Sequence, residues 1–99
     1  MNIAEIKKQI EEIVRETIKL PHFKVFLFGS RINGNADERS DVDIGIEAPT
    51  ELPPELVLDL KERLEKLPTL LKFDVVDFKM VGDDFRRVAK KKTEVIYER

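Results

Sequence analysis

Two aspartates separated by a single residue, Asp41 and Asp43, are the most chemically suggestive feature of this 99-residue sequence. They lie in residues 41–47, where polar and apolar residues alternate, and this pattern predicts a β-strand. Side chains two positions apart on a strand point to the same side, about 6–7 Å from one another. We therefore expect both carboxylates to face cations in front of a sheet.

Magnesium is the cation that best suits such a pair. It prefers hard oxygen ligands and usually takes one or two protein carboxylates, with water and substrate phosphates as the remaining ligands. Phosphoryl-type displacement is served by two metal ions about 3.5–4 Å apart, which activate the attacking hydroxyl and stabilise the leaving pyrophosphate. The sequence thus predicts two Mg²⁺ ions and a nucleoside triphosphate at Asp41 and Asp43.

A third carboxylate would complete the site that activates the nucleophile. The strand predicted over residues 72–78 offers Asp74 and Asp77, which lie on opposite faces. Asp74 shares its face with Val76 inside the strand, whereas Asp77 lies nearer the end. Asp74 is therefore the predicted third ligand, and Asp77 is expected to be structural.

A phosphate-binding turn is predicted directly before the aspartates. Gly29 and Ser30 end a short apolar strand, where glycine permits close backbone approach and N–H groups together with the Ser30 hydroxyl can receive a phosphate. Arg31 and Arg39 are candidates for neutralising phosphate charge, because a guanidinium matches phosphate oxygens. Ser40, next to the first aspartate, completes the predicted nucleotide-binding set.

These residues form a motif that resembles a known family. The segments Gly29-Ser30-Arg31, Gly34 and residues 40–43 (Ser-Asp-Val-Asp) resemble the G-S-R, G and S-D-x-D motif of the minimal nucleotidyltransferases, which belong to the DNA polymerase beta-like superfamily. The resemblance covers nearly the whole chain, since a later acidic strand, a short helix and a final strand follow in the same order. One departure is Ile32-Asn33, where relatives often carry a second arginine.

The resemblance implies an enzyme and its partners. It implies a magnesium-dependent transfer of a nucleotidyl group, AMP from ATP, to an acceptor, with Asp41, Asp43 and Asp74 as the catalytic metal ligands. Larger members append a helical domain that holds the base or acceptor; this chain ends at Arg99 without one, so a partner is expected to supply acceptor binding. By likeness, that partner is a HEPN-domain toxin, modified on a hydroxyl such as that of tyrosine, with this chain as the antitoxin.

Two alternatives to this function remain open from the sequence. The chain could be a non-catalytic nucleotide-binding module that neutralises a HEPN partner by masking it. It could also form a homodimer through an exposed sheet edge or helix face. The base specificity, the acceptor and the physiological metal are not specified by these residues.

The remaining sequence predicts the elements that position the motif. Hydrophobic periodicity, capping residues and prolines indicate the order α-β-loop-β-α-β-α-β within one domain spanning residues 1–99. This order favours an α/β (α+β) fold: a mixed sheet of about four strands with helices packed on it, and one face partly open for the aspartates. The predicted elements cover residues 3–18, 23–28, 41–47, 56–67, 72–78, 83–91 and 93–97.

Composition and motif spacing exclude several other classes of protein and binding site. The formal charge of -2 gives no global attraction to nucleic acid, and the absence of cysteine excludes disulfides and thiolate metal sites. No apolar run is long enough to cross a membrane, so a cytoplasmic protein is expected. The glycines at positions 29 and 34 are spaced as in a P-loop, but the required lysine does not follow them. Residues 41–52 resemble the start of an EF-hand, but the glycine is misplaced and the final glutamate is replaced by leucine.

Three further features are interpreted as structural. The lone His22 follows a proline before a strand and is expected in a loop. The basic residues between positions 86 and 92 are expected to form a solvated helix end. The six phenylalanines accompany strand or helix patterns and are predicted to be core residues rather than surfaces that stack on bases.

Overall fold

The computed structural model describes residues 2–29 and 41–99. Seven elements follow one another in the predicted order, and their bounds lie within a few residues of the expected ones. They are α1 (Ile3–Thr17), β1 (Lys24–Phe28), β2 (Val42–Glu47), α2 (Pro54–Glu65), β3 (Phe73–Asp77), α3 (Asp83–Ala89) and β4 (Glu94–Glu98).

The first helix begins at a side-chain cap. The Asn2 carboxamide oxygen accepts a hydrogen bond from the Glu5 backbone N–H at 2.9 Å, which satisfies one of the free donors of the first turn. Glu5 Oε1 accepts a second bond from Asn2 Nδ2 at 3.2 Å. The sequence places Asn2 and Glu5 as a capping box, and the two residues do pair here, with the second contact between their side chains.

The four strands form a single mixed sheet in the order β3-β2-β1-β4. β1 is antiparallel to both β2 and β4, whereas β2 and β3 are parallel. Parallel neighbours need a crossover connection, and α2 lies in the connection between β2 and β3. The expected mixed sheet with packed helices is confirmed.

One face of the sheet carries the larger hydrophobic core. The apolar residues of β2 that alternate with its acidic ones, Val42, Ile44 and Ile46, are buried there as predicted. They pack with buried residues of α1 and α2, which cover this face. The helical members of this core are Ile6, Ile10, Val14, Leu60 and Leu64.

The opposite face holds a smaller aromatic core. Phe26, Phe28 and Phe78 are buried together, with the Phe26 and Phe78 rings edge to face at 4.8 Å. Gly45 lies beside them, and a Cβ atom there would stand 2.6 Å from both rings. Gly45 is thus required by the packing of the rings and not by its own backbone conformation.

The short helix α3 covers only part of this second face. Its Ala89 packs against the aromatic core, and the Arg86 guanidinium donates to the Phe78 carbonyl oxygen at 2.7 Å. The sequence favours Asp83 or Asp84 as the cap of α3, and this prediction is wrong. Gly82 is the N-cap and has no side chain that could accept a hydrogen bond, while the Asp83 and Asp84 carboxylates in the first turn accept from Arg86 and Arg87 one turn further on.

Two ion pairs tie the elements together across the sheet. Lys7 of α1 contacts Glu94 of β4 at 2.7 Å, and Glu47 of β2 contacts Lys90 just beyond α3. Within the described residues, every helix is too short or too polar to traverse a lipid bilayer.

Candidate active site

Strand pairing brings two of the three predicted carboxylates together. Asp43 of β2 lies directly opposite Asp74 of β3 in the parallel register, and opposite Phe28 of β1 on its other side. Residues opposite one another in a sheet share a face. Both carboxylates therefore lie on the face of the aromatic core, where α3 leaves part of the sheet uncovered.

Asp41 lies immediately before β2 and is exposed. It shares the face of Asp43 by strand alternation. Its charge reaches the other two carboxylates: burial raises the pKa of Asp43, and the charges of Asp74 and Asp41 raise it further. The negative charges of Asp74 and Asp41 thus both act on the central Asp43, and these three residues form the carboxylate unit of the site.

A cation is the natural means of offsetting this repulsion. The donor set consists of carboxylate oxygens, which are the ligands that Mg²⁺ prefers. Among residues 2–29 and 41–99, however, no three acidic, histidine or cysteine side chains are close enough to surround one metal ion. The carboxylates are neighbours without forming a closed cage, and an Mg²⁺ ion held here would need further oxygens from water or phosphate.

The glycine bend lies against this carboxylate unit. Gly29 has a φ of 88°, in the left-handed region that favours glycine. A Cβ atom at this position would overlap a carboxylate oxygen of Asp43. Glycine is therefore needed at this bend for two reasons, its backbone conformation and its close approach to the central aspartate.

The rest of the predicted nucleotide-binding set lies outside the described residues. This applies to Ser30, Arg31, Arg39 and Ser40. Their assignments therefore stay predictions. Of the predicted set, the described part of the chain contains Gly29 and the three aspartates.

Asp77 has the structural part expected of it. Its two carboxylate oxygens accept hydrogen bonds from the Leu52 N–H at 2.8 Å and the Lys79 N–H at 2.9 Å. It therefore fixes the chain before α2 and the turn after β3. Its side of the strand is opposite to that of Asp74, as the alternation predicted.

A cavity of about 410 Å³ opens beside the glycine bend. Its lining is mainly apolar, with two lysines. The residues that line it are Phe28, Gly29, Phe85, Val88, Ala89, Lys91 and Lys92.

The prediction that all six phenylalanines are core residues is wrong for Phe85. This residue is 47% exposed, although its ring contacts those of Phe28 and Phe78 at 6.1 and 5.9 Å between centroids. It lies on a helix of only seven residues that has no buried residue of its own. The helix is too short to bury Phe85 fully, so one part of the ring borders the cavity.

The basic residues at positions 86 to 92 have different roles. Arg86 and Arg87 pair with aspartates of α3, and Lys90 pairs with Glu47, whose pKa is lowered chiefly by that hydrogen bond. The last two lysines line the cavity. The interpretation as a solvated helix end fits the exposed Arg87, Lys91 and Lys92, but it misses the contacts of Arg86 and Lys90.

The cavity was missed in the sequence, although a signal for it exists. Phe85 and Val88 lie three residues apart on a predicted helix whose remaining positions are mostly charged. Apolar residues at that spacing occupy one side of a helix. Together with two lysines just beyond the helix, they indicate a small apolar surface with a basic rim.

Comparison with known proteins identifies the family. The family model described as polymerase beta, nucleotidyltransferase, matches residues 8–99. A protein from Haemophilus influenzae named probable protein adenylyltransferase MntA is 32% identical over 100 residues, which cover 96% of this chain and 85% of that protein. The chain belongs to the polymerase beta nucleotidyltransferase family.

Solved structures with a similar fold support the architecture. One is the tri-AMPylated Shewanella oneidensis HEPN toxin in complex with MNT antitoxin, with a TM-score of 0.73, 18% identity and coverage of 95% of this chain and 71% of that one. Another is a toxin-antitoxin with AMP-PNP, with a TM-score of 0.70, 22% identity and coverage of 92% and 72%. At these identities the likeness concerns the fold.

Proposed function

We propose that this chain is a magnesium-dependent protein adenylyltransferase that transfers AMP from ATP to a hydroxyl group of a HEPN-type toxin and thereby acts as its antitoxin. The observation that carries the proposal is the placement of Asp43 opposite Asp74, beside the Gly29 bend. The name of the Haemophilus influenzae relative and the AMPylated toxin in a structural neighbour support the choice of reaction.

The three aspartates would have different roles in this reaction. Asp41 and Asp43 would hold Mg²⁺ from one strand, and Asp74 would add a carboxylate on the side of the incoming hydroxyl. When bound, the metal supplies charge neutralisation and a lowered pKa of that hydroxyl. The hydroxyl oxygen forms a bond to the α-phosphorus, the bond to pyrophosphate breaks, and the hydroxyl proton leaves to solvent.

The glycine bend would receive the leaving phosphates. Gly29 allows the backbone to lie next to the carboxylate unit, so phosphate and metal can share one small space. Ser30 and Ser40 would add hydroxyl donors, and Arg31 and Arg39 would add positive charge. The roles of these four residues are part of the proposal. A cytoplasmic location, where ATP is available, is also part of it.

The test is transfer of label from α-labelled ATP. The chain is incubated with Mg²⁺ and a purified candidate HEPN-type partner, and label on that HEPN protein is measured after denaturing electrophoresis. We expect label with the natural chain and a loss of at least about 100-fold with Asp43→Asn or Asp74→Asn, because each removes a charged metal ligand. Asp59→Asn is the matched control, since Asp59 lies on α2 and its ion-pair partner among residues 2–29 and 41–99 is Arg63.

The outcomes separate catalysis from masking. If the HEPN protein is neutralised equally by the Asp43→Asn variant, with no label transferred, the chain acts by binding and the proposed reaction is wrong. If Asp59→Asn reduces transfer as much as Asp43→Asn, the loss does not report on metal ligation. Light scattering of the chain alone and with the HEPN protein gives the stoichiometry in which either activity occurs.

A further inference from the structure

The cavity beside Gly29 is a second part of the active-site face that the transfer chemistry does not use. It lies between the aromatic core and α3, and its wall includes Phe28, the residue paired with Asp43 in the sheet. Gly29 forms both part of this wall and the contact with the Asp43 carboxylate. The cavity and the carboxylate unit are therefore continuous at one residue.

The lining has the chemistry of a site for a flat, mostly apolar group. Phe85 and Val88 are 47% and 62% exposed and line the same concavity, so they form an exposed apolar patch instead of isolated exposed residues. The volume of about 410 Å³ lies within the range of small-molecule pockets, and such pockets combine apolar walls with a few polar groups. Here the polar residues of the lining are Lys91 and Lys92.

We propose that this cavity receives the nucleoside of the triphosphate substrate, with the base lying against Phe85 and Val88. This inference rests on the proposed function and extends it. A nucleobase has a π-face that stacks on an aromatic ring and ring nitrogens that accept hydrogen bonds from ammonium groups. With the base in the cavity, the phosphates extend past Gly29 toward Asp43.

The arrangement of charges supports this orientation of the nucleotide over its reverse. Phosphates in the cavity would lose hydration against apolar walls, which is costly for charged groups. A base at the carboxylate unit would leave the negative charges of Asp43 and Asp74 without a cation bridge. With the base on α3, the base lies against apolar residues and the phosphates lie near the carboxylate unit, where cations can bridge the two.

The experiment compares ATP with inorganic tripolyphosphate, which has the phosphates but no nucleoside. Binding of each to the chain is measured in Mg²⁺ by titration calorimetry. The variants are Phe85→Leu, which keeps apolar volume but removes the aromatic face, and Val88→Trp, which fills the mouth of the cavity. Leu58→Ala is the control, because Leu58 is a comparably exposed apolar residue (58%) on α2, which covers the other face.

We expect the natural chain to bind ATP more tightly than tripolyphosphate, and both cavity variants to weaken ATP binding by about 10-fold or more, as loss of one base stack implies. Tripolyphosphate binding should be unchanged in both variants. Since Phe85 also contacts Phe28 and Phe78, a thermal melt accompanies each titration. The Val88→Trp variant provides the same test at an exposed position with no aromatic contact to lose.

Four results would overturn the inference. If the natural chain binds ATP no better than tripolyphosphate, or if ATP binding is unchanged in both variants, the nucleoside lies elsewhere while the proposed function stands. If the variants bind ATP normally but fail to label the HEPN protein, the cavity holds part of the acceptor instead. If ATP does not bind at all, the proposed function itself is wrong, and the nucleoside site falls with it.

Discussion

Three glycines on one chain allow the requirements of the active site to be separated from those of the fold. Gly29, Gly45 and Gly82 differ in what an added methyl group would meet: a carboxylate oxygen of Asp43, two phenylalanine rings, and open space, respectively. Replacing each in turn with alanine makes the same chemical change in three environments. The three variants should therefore differ in which property they lose.

The expected losses of stability and of transfer rate follow from these contacts. Gly29→Ala places an L-residue in the left-handed region, which costs about 1–2 kcal/mol, and displaces the Asp43 carboxylate. Because a displacement of about 1 Å at a reacting centre can cost roughly 100-fold in rate, we expect transfer to fall by at least that factor. Gly45→Ala crowds the aromatic core for about 1–3 kcal/mol, with transfer nearly unchanged while the chain is folded.

The assays are a thermal melt and label transfer to the HEPN protein, the latter well below the lowest melting temperature. A loss of 1 kcal/mol lowers the melting temperature of a domain of this size by about 4–8 °C. Gly82→Ala should change the stability by only about 0.5 kcal/mol, since its φ is -70° and no atom lies near. Full transfer activity in Gly29→Ala would refute the role of the bend, and equal loss in Gly45→Ala would show that activity merely follows stability.

Further predictions concern charge. The pKa of Asp43 is raised in the folded chain, so ionisation of Asp43 lowers the stability of the fold as the pH rises through that pKa. Asp43→Asn should therefore stabilise the metal-free chain at neutral pH and leave its stability unchanged at acidic pH, as measured by urea unfolding. The pKa of Glu47 is lowered in the folded chain, so the pairing of Glu47 with Lys90 stabilises the fold above the ordinary glutamate pKa, and this stabilisation is lost as the pH falls through the lowered pKa. Glu47→Gln should therefore make the stability of the fold less dependent on pH in the acidic range. Arg86→Ala should cost about 2 kcal/mol in denaturant unfolding, because it removes charged hydrogen bonds to backbone carbonyls, whereas Arg87→Ala should cost under about 0.5 kcal/mol.

Much of the fold and the acidic part of the site follow from local patterns. Alternation over residues 41–47 assigns Asp43 to the face opposite the main core, and the same rule separates Asp74 from Asp77. Such inferences succeed because strand alternation is a property of neighbouring residues. The meeting of Asp43 with Asp74 also depends on which strands are neighbours in the sheet, and alternation within one strand does not give that.

The features that sequence reasoning missed depend on contacts between distant segments. Nothing local to Lys90 indicates Glu47 as its partner, and nothing local to Arg86 indicates the carbonyl of Phe78. The exposure of Phe85 depends on how far a short helix reaches across the sheet. These contacts are decided by tertiary packing, which hydrophobic periodicity does not encode.

The parallel pairing of β2 with β3 also orders the events of folding. Asp43 and Asp74 are neighbours in space but are separated along the chain by the whole of α2, so the chain between them must close a long loop before they meet. Pairings of this kind form slowly compared with helices and local turns. We therefore expect the pairing of β2 with β3, and with it the proposed site, to form after the helices and local turns.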